Sequence, residues 1–144
     1  VGAAGNVLSD YDHTPAGAAA RVQLLLSARG EVVVVLGASG NRDRGKRAEM
    51  ARACAGALRL YVTDQHPRDE DPAEIRSTLM VAAQEAGIDA VEVFDPAEAI
   101  AQAIEFASGR AVLWCGPGAL GYREIAGKKV PFDARKIARE VAGS

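Results

Sequence analysis

Short apolar runs alternate with amphipathic segments along most of the chain, and this alternation constrains the fold more than any other feature. The clearest run, VVVVL within 31–37, has no polar residue, which is typical of a strand buried on both faces of a sheet. The segments between the runs repeat apolar residues at spacings of three and four, which predicts helices. Four further strands are predicted at 7–12, 60–63, 90–94 and 110–115.

Helix boundaries are marked by caps. Thr14, Asp71 and Asp95 each precede a proline, a pair that predicts a side-chain N-cap followed by proline at the first helical position. Gly87 follows the apolar period of 73–86 and predicts a helix end. A helical period also covers 46–58.

Strands and helices in alternation, joined by short loops, predict right-handed crossovers and a mainly parallel sheet covered on both faces. The tail differs, since 124–132 resembles a small hairpin and Asp133 caps a last helix that reaches Val141. We therefore expect an α/β, three-layer Rossmann-like domain with a mainly parallel sheet and a small C-terminal hairpin plus helix. Residues 1–144 are expected to form a single domain, cut from a longer protein.

Composition argues weakly against several classes of partner. The 144 residues carry a net charge of -2, so no excess of positive charge is available for nucleic acid or an anionic membrane. The chain has no apolar stretch near the roughly 20 residues that span a bilayer, and a cytoplasmic protein is expected. Cys54 and Cys115 match no metal-ligand spacing and are expected to be buried, reduced thiols.

Polar residues concentrate after the strands, where ligands bind in open α/β sheets. The loop after the second strand brings four cations to a helix N-terminus, where positive charge opposes the helix dipole: Arg42, Arg44, Lys46 and Arg47. An anionic ligand would explain this arrangement, and a solvated basic turn is the alternative. The loop follows neither GxGxxG nor the phosphate-loop pattern.

Two further loops allow more than one interpretation each. Arg68, next to Pro67, can grip a carboxylate with two hydrogen bonds, or the segment can be an ordinary capped loop. His13 follows Asp10 and Asp12, which suits a metal site, an acid–base pair or a purely structural histidine. The chain has no nucleophile elbow. These residues predict binding and no self-sufficient catalytic centre.

Four segments together resemble one family. DYDHTP at 10–15, LGASGNRDRGKR at 36–47, VTDQHPRDEDPAEIR at 62–76 and EIAGKKVPFDARKIARE at 124–140 follow the order and spacing of the third, C-terminal domain of Mur ligases. The resemblance is strongest to the tripeptide synthetases of that family, which add the third amino acid to the peptidoglycan precursor. It extends from Val7 to about Val141.

The resemblance implies an ADP-forming peptide ligase. In this family ATP phosphorylates a carboxylate of UDP-MurNAc-dipeptide, and the amine of a free amino acid then attacks the acyl phosphate. ATP and Mg²⁺ are bound mainly by a central domain that these residues do not include, and the third domain closes over that site. The resemblance therefore implies no catalytic residue in this domain and no activity of the domain alone.

The family's binding residues carry over to six positions. Those that match contacts to the incoming amino acid are Arg42, His66, Arg68 and Gly116, and those that match the nucleotide-facing strand end are Asp10 and His13. His66 and Arg68 occupy the Asn and Arg positions of the Asp-Asn-Pro-Arg signature of diaminopimelate-adding enzymes. No metal ligand is implied in this domain.

Departures from the pattern bear on the substrate. Gln65 and His66 replace the usual Asp and Asn, and the usual Gly-Lys-Gly-His-Glu loop is Gly-Pro-Gly-Ala-Leu at 116–120. Leu120 therefore replaces the glutamate that meets the distal ammonium group of diaminopimelate. A desolvated charge without its partner costs on the order of 2–5 kcal/mol, so we expect diaminopimelate to be a poor substrate. Lysine or ornithine is expected to be favoured over it.

Other functions remain open at this point. The chain could belong to a ligase acting on another acid acceptor, or to a non-catalytic paralogue with a binding or regulatory role. A free-standing nucleotide- or anion-binding module would also explain the fold and the basic loop. A pure interaction domain agrees less well with polar residues concentrated at the strand ends.

Overall fold

The computed structural model describes residues 2–4, 7–10, 15–37, 44–64, 70–115, 122–125 and 128–131. The strands are β1 (Gly2–Ala4), β2 (Val7–Asp10), β3 (Val32–Leu36), β4 (Arg59–Val62), β5 (Ala90–Glu92), β6 (Ala111–Cys115), β7 (Tyr122–Ile125) and β8 (Lys128–Pro131). The helices are α1 (Pro15–Arg29), α2 (Arg44–Ala53), α3 (Pro72–Glu85) and α4 (Pro96–Ala107).

The main sheet has six strands in the order β1-β2-β6-β3-β4-β5. The pairs β2–β6, β6–β3, β3–β4 and β4–β5 are parallel, and β1 pairs antiparallel with β2. The predicted, mainly parallel sheet is thus confirmed. The edge strand β1 was not predicted, since its sequence, GAA, carries neither β-branched residues nor a polar alternation.

Successive residues of β3 enter two separate cores. Val32, Val34 and Leu36 pack in a core with side chains of α1, α2 and α3, whereas Val33 and Val35 pack with α4. All five residues are buried. Both faces of the sheet are therefore covered by helices, which confirms the three layers and the position of VVVVL in a central strand.

The connections share one hand. The chain moves in one direction across the sheet through α1, α2 and α3 on one face, and it returns from β5 to β6 through α4 on the other face. Reversing both the direction and the face preserves the handedness of a crossover, as the rule for parallel strands requires. As a result, β6 inserts between β2 and β3.

The predicted caps of two helices are confirmed. The carboxylate of Asp71 accepts a hydrogen bond from the backbone N–H of Ala73 at the start of α3, and Asp95 accepts one from Glu98 at the start of α4. Gly87 follows α3 with φ +76°, a conformation that favours glycine. The predicted cap Thr14 lies outside the described residues.

One helix is shorter than predicted. The period of 46–58 indicates a helix through residue 58, but α2 ends at Ala53 and the chain continues in a turn. Gly56 has φ +95°, which a right-handed helix cannot accommodate. The apolar residues beyond Ala53 instead include Cys54, which belongs to the core formed with α1 and α3.

The hairpin is confirmed by β7 and β8, which pair antiparallel as a separate two-stranded sheet. The predicted last helix, 133–141, lies outside the described residues. Cys54 and Cys115 are both buried free thiols, as expected, and burial raises the pKa of the Cys54 thiol to about 12. Within the described part of the chain, no helix is long and apolar enough to cross a membrane.

Candidate functional site

The carboxyl ends of the parallel strands form one continuous edge, here called the carboxyl edge. In the strand register, Asp10 at the end of β2 lies beside Cys115 of β6, and Cys115 lies beside Leu36 of β3. Leu36 in turn lies beside Val62 of β4, and Val62 beside Glu92 of β5. The segments that follow these strands therefore start next to one another.

Four of these segments, together with the end of β2, hold the six candidate binding residues. The segment 11–14 follows β2, 116–121 follows β6, 38–43 lies between β3 and α2, and 65–69 lies between β4 and α3. The prediction that the polar loops emerge from one edge is thus confirmed by the topology.

Of the six candidate binding residues, the structure describes the backbone of Asp10 alone. Asp10 is the last residue of β2, at the strand end where the sequence places it. The other candidates lie outside the described residues: His13, Arg42, His66, Arg68 and Gly116. Their proposed contacts stay predictions, and the structure contributes the position of the strand end from which each segment leaves.

The strand order reverses at β3. From β3 the chain proceeds outward to β4 and β5, and it then returns to place β6 on the opposite side of β3. Ligands of open α/β sheets bind outside the carboxyl ends at such a point. The segments 38–43 and 116–121, which carry Arg42 and Gly116, leave from the two strands that meet there.

The residues leading into 65–69 are held by hydrogen bonds. The backbone N–H of Thr63 donates to the carbonyl of Leu36 at 3.0 Å, and the hydroxyl of Thr63 donates to the carbonyl of Phe94 at 3.1 Å. The backbone N–H of Asp64 donates to that same Phe94 carbonyl at 3.2 Å. These contacts connect the end of β4 to both neighbouring strand ends.

Arg76 of α3 joins two carboxylates at the carboxyl edge. Its guanidinium pairs with the carboxylate of Asp64 and, through Nε at 2.7 Å, with that of Glu92. The pKa of Arg76 lies above its usual value: burial lowers it, and hydrogen bonds and charges of Glu92 and Asp64 outweigh that effect. A permanent positive charge therefore ties the ends of β4 and β5 to α3.

A second pair lies on the other side of 65–69. Arg47, in the first turns of α2, meets the carboxylate of Glu70 at 2.5 Å, and the two side chains are only 6% and 14% exposed. Glu70 directly precedes Asp71, the N-cap of α3. The pair therefore joins the beginning of α2 to the beginning of α3.

This pair corrects one step of the sequence interpretation. Arg47 is one of the four cations that predict an anionic ligand at the start of α2, but its charge is matched within the fold by Glu70. The inference of an anionic ligand now depends on the cations other than Arg47. The sequence had no signal for the match, because the two residues lie 23 positions apart on different elements.

Two other features of the described residues bear on where a site lies. Within these residues, no group of three or more His, Cys, Asp or Glu side chains is arranged to hold a metal ion. An open groove between α2 and α3 is lined by Ala48, Arg52, Ser77, Thr78, Val81, Ala82 and Glu85. It lies along the helical layer rather than at the carboxyl edge, and we assign it no ligand.

The fold defines a Rossmann-like α/β domain whose polar loop segments leave the carboxyl edge of a mainly parallel sheet. Residues 1–118 match the glutamate ligase domain of Mur ligases, and the chain belongs to this family.

Similar proteins agree with this assignment. The chain is 45% identical over 138 residues to a UDP-N-acetylmuramyl-tripeptide synthetase of Leifsonia xyli subsp. xyli, a match covering 92% of the chain and 27% of the relative. It is 36% identical to a UDP-N-acetylmuramoyl-L-alanyl-D-glutamate–2,6-diaminopimelate ligase of Bacteroides thetaiotaomicron, covering 92% of the chain and 29% of the relative.

A solved structure of a diaminopimelate ligase of this type has the same fold, with a TM-score of 0.86 at 31% identity. The match covers 99% of the chain and 32% of that structure. In each of these comparisons the chain spans about a third or less of the protein it matches.

Proposed function

We propose that the chain is the amino-acid-binding third domain of an ATP-dependent ligase. The enzyme adds the third amino acid to UDP-MurNAc-dipeptide during peptidoglycan synthesis in the cytoplasm. The observation that carries the proposal is the carboxyl edge, where the strand register brings together the strand ends from which the four segments with the candidate binding residues leave. The 45% identity to a tripeptide synthetase supports this choice of reaction.

Each candidate residue receives a role in binding. Arg42 and Arg68 hold the α-carboxylate of the incoming amino acid, because guanidinium groups match the geometry of a carboxylate with paired hydrogen bonds. His66 and the backbone of Gly116 contact the same amino acid. With its carboxylate held, the amine is directed at the acyl phosphate, and this positioning lowers the barrier to attack.

Asp10 and His13 face the nucleotide in this proposal. ATP and Mg²⁺ are bound mainly by a central domain outside these 144 residues, within a three-domain enzyme. Within the described residues, no group of three or more His, Cys, Asp or Glu side chains is arranged to hold a metal ion. Nucleic acid and membranes are not among the proposed partners.

The amino-acid preference is the finer part of the proposal. Leu120 stands where diaminopimelate-adding enzymes carry a glutamate, so the distal ammonium group of diaminopimelate would lose an ionic partner on leaving water. Lysine and ornithine also carry a distal ammonium group, but they lack the second carboxylate that diaminopimelate would have to bring out of water beside it, and they are the favoured substrates in this proposal.

The test is amino-acid-dependent ADP release by the full-length gene product that contains these residues. With UDP-MurNAc-dipeptide and ATP present, lysine or ornithine is expected to support turnover at least about tenfold better than diaminopimelate, a difference of about 1.4 kcal/mol. Robust turnover with diaminopimelate would contradict the argument from Leu120. Nucleotide binding with no turnover on any amino acid would favour a non-catalytic paralogue.

The isolated chain provides a second test. We expect the 144 residues alone to hydrolyse no ATP, with or without the dipeptide and amino acid. Measurable, amino-acid-dependent hydrolysis by this chain would refute the division of roles between the domains.

A further inference from the structure

We infer that Arg47 and Arg76 are positioning residues for the segment 65–69. Each arginine pairs with the carboxylate that borders one end of the segment, Glu70 and Asp64 respectively. This inference rests on the proposed function, in which Arg68 of that segment holds the amino acid. Arg47 of α2 holds the residue that follows the segment, Glu70, and Arg76 of α3 holds the residue that precedes it, Asp64.

The first end is fixed from several directions. Asp64 is bound through its backbone N–H to Phe94 and through its carboxylate to Arg76. Arg76 is itself held by Glu92 at the end of β5. Since α3 also packs against β4 and β5, a shift of Asp64 would disturb a helix and two strands together.

The second end is fixed by a buried pair. Glu70 contacts Arg47, which belongs to α2, and Glu70 is followed directly by the N-cap of α3. The helices α2 and α3 pack against each other, and residues of both belong to the same core. Both arginines therefore come from rigid, mutually packed elements rather than from loops.

Five residues, including Pro67, separate the two fixed ends. Loop closure limits the conformations of a short segment, and Pro67 limits them further because its ring fixes φ. A binding group must be held within a fraction of an ångström of its productive place, since small displacements lower rates strongly. The two ion pairs are thus suited to restrict the position of Arg68.

Hydrogen exchange of the 144-residue chain tests the positioning directly, without any substrate. In Arg76→Gln, amide exchange across 65–69 is expected to accelerate at least about tenfold, the effect of about 1.4 kcal/mol of lost stabilisation. Exchange at the core strand β3 should stay slow. Arg76→Lys retains the charge and should restore part of the protection.

Arg47→Lys tests the second end in the same way, because it keeps a charge beside Glu70 and loses the fork of the guanidinium. The matched control is Arg110→Gln, which removes an arginine–carboxylate pair to Glu31 at the opposite edge of the sheet. Unchanged exchange at 65–69 in folded Arg76→Gln and Arg47→Lys would overturn the inference. Equal acceleration in the control would overturn it as well.

Kinetics of the full-length gene product then separate positioning from stability. The Arg76→Gln variant is expected to raise KM for the amino acid about tenfold or more, with KM for ATP and for the dipeptide within about twofold. A parallel rise of all three KM values would indicate a structural role and contradict the inference. Absence of ligase activity in the wild type would refute the proposed function, whereas the exchange result would still decide the positioning.

Discussion

The two edges of the main sheet carry the same kind of ion pair in different surroundings. At the amino edge, where the parallel strands begin, Arg59 pairs with Asp89 at 2.9 Å and Arg110 with Glu31 at 3.0 Å. Asp89 and Glu31 are 57% and 51% exposed there, whereas the carboxylates of Asp64 and Glu70 at the carboxyl edge are largely buried.

Burial changes what such a pair does. An exposed pair is screened by water and contributes little to stability. Removing one partner of a buried pair leaves a desolvated charge and costs far more. The amino edge can therefore lose its pairs at small cost, whereas the loss of a pair at the carboxyl edge is expected to cost more and, by the inference above, to affect the placement of 65–69.

The largest effect is expected for Glu70→Gln. This change removes the carboxylate that matches the buried charge of Arg47, and it should lower the free energy of unfolding by about 3 kcal/mol. Urea denaturation of the 144-residue chain measures it. A loss below about 1 kcal/mol would place this pair in the same class as those of the amino edge.

An intermediate effect is expected for Asp64→Asn. Arg76 loses one carboxylate and keeps Glu92, so the loss in unfolding free energy should be about 2 kcal/mol. The same denaturation experiment applies. If Asp64→Asn cost more than Glu70→Gln, the ranking of the two pairs would be reversed, and Glu92 could not be the compensating partner.

The smallest effect is expected at the amino edge. Asp89→Asn and Glu31→Gln each remove an exposed carboxylate and should change the unfolding free energy by less than about 1 kcal/mol, less still at high salt. A loss equal to that of Glu70→Gln would remove the distinction between the two edges.

The sequence predicts the central strand and the starts of two helices, because the residues that determine these elements are close together along the chain. VVVVL can only be buried on both faces, and Asp71 and Asp95 cap helices through contacts with residues two and three positions away. Such signals depend on near neighbours along the chain, and all three are confirmed.

No local pattern in the sequence indicates the ion pairs at the carboxyl edge. Arg47 and Glu70 are 23 positions apart, and Arg76 and Asp64 are 12 apart, so only the packing of α2, α3 and the strand ends brings them together. Before the fold is known, Arg47 resembles the other cations of its loop. The roles of Arg42, His66 and Arg68 stay predictions that follow from the family resemblance.

The central claim is that the carboxyl edge binds the incoming amino acid, and KM for that amino acid tests it most directly. In the full-length gene product, Arg68→Lys should raise this KM about tenfold or more, because lysine cannot form the paired hydrogen bonds of a guanidinium with a carboxylate. Arg110→Lys, at the amino edge, should leave it unchanged. Equal KM values for wild type and Arg68→Lys, or an equal rise in both variants, would contradict the account.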